Sequence, residues 1–98
     1  MEFIRCVIVE DEPVSLAVME GLVARSGLLE LLASFSDPVK ATHWLSNNTT
    51  DLLLLDIEMP GINGLELLQS LTKKPEVIII SSKEQYAIEA IDYNVAAY

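Results

Sequence analysis

The sequence predicts an α/β fold, a parallel sheet wound on both faces by helices. Two observations carry this. Short, mainly apolar blocks recur at residues 3–9, 52–55 and 77–80 rather than strict alternations of apolar and polar residues. Blocks of that kind suit strands covered on both faces. Between them lie segments with helical spacing and helical start signals, so the element order reads β-α-β-α-β-α-β-α-β. Such alternation implies right-handed crossovers and a doubly wound sheet of five strands.

Each element has its own warrant. After the first strand, Pro13 stands at a first helical position, with Val14, Ala17, Val18 and Leu22 spaced as one apolar face and Gly27 as a stop. The second strand, residues 29–35, is interrupted by Glu30 and Ser34, as suits the edge of a sheet. Ser36-Asp37-Pro38 joins a capping residue to a proline in the first turn. The helix it starts is expected to turn Val39, Trp44 and Leu45 inward and to end in the loop Asn47-Asn48-Thr49-Thr50. The third strand, 52–55, leads to a turn at Pro60-Gly61. Asn63 caps a third helix carrying Leu65, Leu67, Leu68 and Leu71, with Lys73-Lys74-Pro75 closing it by charge suited to a helix C-terminus. The fourth strand is 77–80. A fourth helix spans 84–92, with Tyr86, Ala87, Ala90 and Ile91 toward the core, and a fifth strand spans 95–98. No repeat or linker divides residues 1–98, which read as one domain.

Composition narrows the function. Half of the 98 residues are hydrophobic, which sets aside disordered and low-complexity classes. Fifteen acids against six bases give a net charge of −9. Such a surface repels phosphodiester backbones and anionic lipid, so neither direct nucleic-acid binding nor membrane binding is expected. The N-terminus carries Glu2 where a signal peptide has bases, and no apolar stretch approaches the roughly 20 residues of a membrane span. A single cysteine, Cys6, forms no internal disulfide and fits a reducing compartment, so a cytoplasmic location is expected. One cysteine and one histidine, His43, are too few for a zinc site or a Cys–His dyad. Cys6 reads as a small buried hydrophobe, His43 as a surface residue and Trp44 as packing.

Chemistry gathers at the carboxyl ends of strands in sheets of this kind. Strand one ends in Glu10-Asp11-Glu12, strand three in Asp56 and strand four in Ser81-Ser82. Taken alone, residues 10–12 are as well explained as a solvated acidic loop. Asp56 shifts the weight, because it closes a run of four leucines and a turn signal follows at once. Carboxylates crowded at one sheet edge repel unless a cation joins them. Hard oxygen ligands favour Mg²⁺, with Mn²⁺ or Ca²⁺ as alternatives.

Three segments carry a resemblance: Ile8-Val9-Glu10-Asp11-Glu12-Pro13; Leu52 through Asp56 continuing as Ile57-Glu58-Met59-Pro60-Gly61-Ile62-Asn63-Gly64; and Ile78-Ile79-Ile80-Ser81-Ser82. Together they resemble the CheY-like receiver domain of two-component response regulators, over residues 3–98. The segment around Asp56 is the most specific. The resemblance implies a flavodoxin-like sheet of order 2-1-3-4-5. It implies that Asp56 accepts a phosphoryl group from a phosphohistidine of a sensor histidine kinase. It further implies that Asp11 and Glu10 are metal ligands, that Glu58 ligates through its backbone carbonyl, that Ser81 contacts the phosphoryl group and that Tyr98 is the switch aromatic following Ser81. Such a domain is a signalling module, catalysing at most its own phosphorylation and dephosphorylation.

Departures from the family pattern also follow. Glu10 stands where aspartate is usual, and Ser81 where threonine is common. The family has a lysine shortly after the position of Tyr98, then a last helix, and here no basic residue follows Lys83. The last helix is therefore expected to be missing and the sequence to be part of a longer protein. Uncovered apolar surface beside strand one is expected to promote a homodimer or strand-exchanged oligomer. Tyr86-Ala87-Ile88-Glu89-Ala90 resembles receivers joined to LytTR-type DNA-binding output domains, which places any such domain outside this chain. Two alternatives stand beside this reading. One is a pseudo-receiver that only mediates protein contacts. The other is a haloacid-dehalogenase-type phosphatase, which also uses an aspartate at a strand end but wants a second aspartate where this chain has Glu58.

Overall fold

The computed structural model describes residues 2–57, 59 and 63–80. Within them the elements are β1 (Ile4–Val9), α1 (Pro13–Ser26), β2 (Leu29–Phe35), α2 (Pro38–Asn47), β3 (Leu52–Asp56), α3 (Gly64–Ser70) and β4 (Glu76–Ile80). The four strands form one parallel sheet of order β2-β1-β3-β4. That is the expected flavodoxin-like order as far as these residues reach. The expected fourth helix and fifth strand lie outside the described residues.

The apolar blocks fold this way because each strand feeds two cores at once. Successive strand residues point to opposite faces. Val7, Val9, Leu53, Leu55, Val77 and Ile79 join Ala41 of α2 and Leu65, Leu67 and Leu68 of α3 in one buried cluster. Cys6, Ile8 and Leu54 join Met19 and Val23 of α1 in the other. Burying an aliphatic side chain contributes roughly 1.5–3 kcal/mol, so the leucine run of β3 binds both helical layers to the sheet. β2 is the edge, half-buried along its length except at Glu30, which is exposed. Phe35 of β2 packs against Trp44 of α2, ring centroids 6.0 Å apart.

The helix starts fall where the capping residues predict. Glu12 caps α1, its Oε2 accepting the Ser15 N–H at 2.7 Å. Gly27 ends α1 in the left-handed region at φ 72°, a conformation glycine adopts without a Cβ penalty. Asp37 caps α2 by accepting the Val39 N–H at 2.9 Å. Asn63 and Glu66 form a reciprocal capping box on α3.

Three expectations about faces and ends need correction. The apolar stripe of α1 built on Val14, Ala17, Val18 and Leu22 faces solvent, with Val14 71%, Val18 54% and Leu22 57% exposed. The core instead takes Met19 and Val23, with Leu16 packed beside them. Both stripes have helical spacing, so periodicity does not rank them. Burial of Met19 and Val23 turns α1 this way, and the Ser34 hydroxyl of β2 donates to Glu20 Oε2 at 3.0 Å across the same contact. On α2, Val39 is 67% exposed, whereas Ala41 is fully buried, with Trp44 and Leu45 packed against the same core. Two residues along a helix are about 200° apart, so a helix that buries Ala41 must expose Val39. Finally, α3 ends at Ser70, before Lys73 and Lys74, and its last turn carries no base. Leu71 leaves the helix in an extended conformation and is buried, its N–H bonded to the Leu68 carbonyl.

No helix among the described residues is long and apolar enough to cross a membrane.

Candidate functional site

Strand register builds the site. β1 and β3 run parallel, with Val9 opposite Leu55, so the next residues, Glu10 and Asp56, emerge together at the carboxyl edge. Asp11 follows on the loop to α1. Glu10, Asp11 and Asp56 each offer a carboxylate oxygen, and these oxygens lie within 4.8 Å of one another. Glu10 is buried, at 4% exposure, while Asp11 and Asp56 are half-buried.

Local hydrogen bonds hold this loop. Glu10 Oε1 accepts the N–H of Glu12 at 3.1 Å, which orients the buried carboxylate. Glu12 belongs to the same acidic run in sequence but does not join the cluster. Its carboxylate accepts the Ser15 N–H, and that backbone bond is the main cause holding its pKa below the ordinary 4.5. The loop thus separates acids that gather from one that caps a helix.

On the other side, Ile57 follows Asp56 into the core and is fully buried. Its carbonyl accepts two N–H groups, from Met59 at 3.1 Å and from Gly64 at 3.0 Å, and these close the turn toward α3. Gly64 lies so near that a Cβ there would stand 2.6 Å from the Asp56 carbonyl oxygen and 2.9 Å from Ile57 Cα. Sequence reasoning assigned Gly64 no role beyond opening a helix. The one signal available was glycine, a poor helix former, directly after the cap.

The donor set can be tested against a cation. Ionised carboxylates this close repel one another. A cation removes that repulsion. The three residues supply only hard carboxylate oxygens, which suits a hard divalent ion of the Mg²⁺, Mn²⁺ or Ca²⁺ type. The remaining residues singled out from the sequence, the Glu58 carbonyl, the Ser81 hydroxyl and the Tyr98 ring, lie outside the described residues. His43 is exposed on α2. Cys6 is buried in mid-strand, where desolvation pushes its thiol pKa up.

Comparison with known proteins fits this geometry. The response regulator receiver domain family matches residues 6–98. The transcriptional regulatory protein NatR of Bacillus subtilis is 35% identical over 94 residues, covering 93% of this chain and 40% of NatR. A response regulatory protein of Vibrio cholerae is 31% identical over 93 residues, covering 93% of this chain and 39% of its own length. The chain therefore spans about two-fifths of the length of these curated relatives. Among solved structures, the response regulatory domain of mrkE from Klebsiella pneumoniae superimposes with a TM-score of 0.87 at 28% identity, covering 96% of this chain and 80% of that one. A parallel sheet in this strand order, acids at its carboxyl edge and a family match over nearly the whole chain lead to one conclusion: the chain belongs to the response-regulator receiver-domain family.

Proposed function

We propose that this chain is a Mg²⁺-dependent phosphoacceptor that takes a phosphoryl group from a sensor histidine kinase onto Asp56 and signals by a change of conformation. The observation that carries the reading is the meeting of Glu10, Asp11 and Asp56, from two neighbouring strands, within 4.8 Å. Asp56 closes a strand whose Leu53, Leu54 and Leu55 are buried, and is itself half-buried.

In the proposed reaction, a carboxylate oxygen of Asp56 attacks the phosphorus of a phosphohistidine. The O–P bond forms as the P–N bond breaks, leaving an acyl phosphate here and an unmodified histidine on the kinase. Phosphoryl transfer of this type depends on in-line positioning and charge neutralisation. A bound Mg²⁺ would neutralise charge shared by the Asp56 carboxylate and the incoming group. Asp11 and Glu10 would hold the ion, with the Glu12 N–H keeping Glu10 oriented. The family pattern adds the backbone carbonyl of Glu58 as a further ligand. In the same proposal, Ser81 donates its hydroxyl to a phosphoryl oxygen only in the phosphorylated state, and Tyr98 follows it. A contact present in one state alone biases a two-state element.

The chain's short span of its relatives, and the name of NatR as a transcriptional regulator, support an output domain in cis within a longer cytoplasmic protein. The likeness of residues 86–90 to receivers of that group favours a LytTR-type DNA-binding domain. The test is acetyl phosphate with Mg²⁺, read by intact mass. One phosphoryl group is expected on the wild-type chain and none on Asp56→Asn, and chelation abolishes the uptake. Labelling that survives Asp56→Asn overturns the assignment. A wild-type chain that takes up neither Mg²⁺ nor phosphoryl is a pseudo-receiver.

A further inference from the structure

Resting on that function, we infer that Gly64 is a positioning residue for Asp56, setting the acceptor carboxylate against Glu10 and Asp11 by the absence of its own side chain. An added Cβ would lie 2.6 Å from the Asp56 carbonyl oxygen and 2.9 Å from Ile57 Cα, so something must shift. Both obstructing atoms are backbone, and no flexible side chain can swing away.

Packing decides which part yields. α3 is anchored by Leu65, Leu67 and Leu68, all buried in the cluster shared with β3 and β4. β3 is paired to β1 only as far as Leu55, opposite Val9. At the next residue Asp56 lies opposite Ile80 of β4. The Ile57 side chain is fully buried, and its carbonyl is fixed by two N–H groups. With α3 held by its buried leucines, the displacement falls on the Asp56–Ile57 peptide that the Cβ would press against, and a rotation there re-aims Asp56. Glu10 and Asp11 ride on β1 and its loop, so they do not follow. The carboxylate cluster opens while the fold persists.

The experiment compares Gly64→Ala with the wild-type chain and with Gly21→Ala, a control whose added Cβ meets only the flexible Arg25 guanidinium. Mg²⁺ affinity is measured by calorimetry and phosphoryl uptake by intact mass. Both are repeated in an osmolyte that favours the folded state. Gly64→Ala is expected to melt cooperatively yet bind Mg²⁺ roughly tenfold or more weakly, the loss typical of disturbed support around a metal site. The loss should persist in osmolyte, and Gly21→Ala should bind as wild type. A merely structural glycine would lower the melting temperature and leave the affinity of the folded protein unchanged, which overturns the inference. So does a Gly64→Ala chain that cannot be folded even in osmolyte. If the wild-type chain itself binds no Mg²⁺, the proposed function fails first, an outcome separable from the others.

Discussion

Glu10 shows how one residue serves both fold and site. It is buried, it accepts the Glu12 N–H, and it stands in the acidic cluster. Glu10→Gln retains an acceptor oxygen for that N–H and removes the charge. Thermal melts should show the variant at least as stable as wild type in chelator, by up to about 1 kcal/mol, because repulsion among neighbouring acids is relieved. With Mg²⁺ the order should reverse. A different acid governs the opposite edge of the sheet. Asp51 Oδ2 accepts the Arg5 N–H at 3.0 Å and lies 3.5 Å from Arg5 Nε. The backbone bond from Arg5 is the largest cause holding its pKa below the ordinary 3.8. A group with a lowered folded pKa contributes stability that is complete above its ordinary value and fades as pH falls through the lower folded value. Asp51→Asn should therefore lose stability at neutral pH and less below the carboxylate range. Urea midpoints at the two pH values check this.

At the scale of the element, helix starts were legible and helix rotation was not. Pro13, Asp37-Pro38 and Asn63 mark starts because a cap bonds to N–H groups two or three residues ahead, a local matter readable from a few neighbouring residues. Which side of α1 meets the sheet is not local, since its two apolar stripes have equal claim by spacing. The structure buries Met19 and Val23 and exposes Val18. Met19→Ala should cost about 2 kcal/mol or more, as lost core volume does. Val18→Lys should stay within about 0.5 kcal/mol of wild type, the range of surface changes. Chemical denaturation of both variants checks the rotation directly. If Val18→Lys proved the more damaging, the assignment of faces would be reversed.

At the scale of the molecule, cation binding and stability are linked. A ligand that binds the folded chain and not the unfolded one stabilises it by about 2.7 kcal/mol at a hundred times its Kd. Millimolar Mg²⁺ should raise the melting temperature, and chelator should return it to the starting value. Asp56→Asn should flatten the response, because its oxygen is one of the three that converge. The fold class, the four described strands and the helix starts follow from the order of apolar blocks and caps, which depend on near neighbours in the chain. The acids were singled out by their place at strand ends together with the family resemblance. What remained for packing to settle was the sheet-facing side of α1, the exposure of Val39, and the close fit of Gly64 under Asp56. The helix faces depend on strands distant in sequence, and the acids meet only when β1 and β3 align in register, a spacing no local pattern encodes.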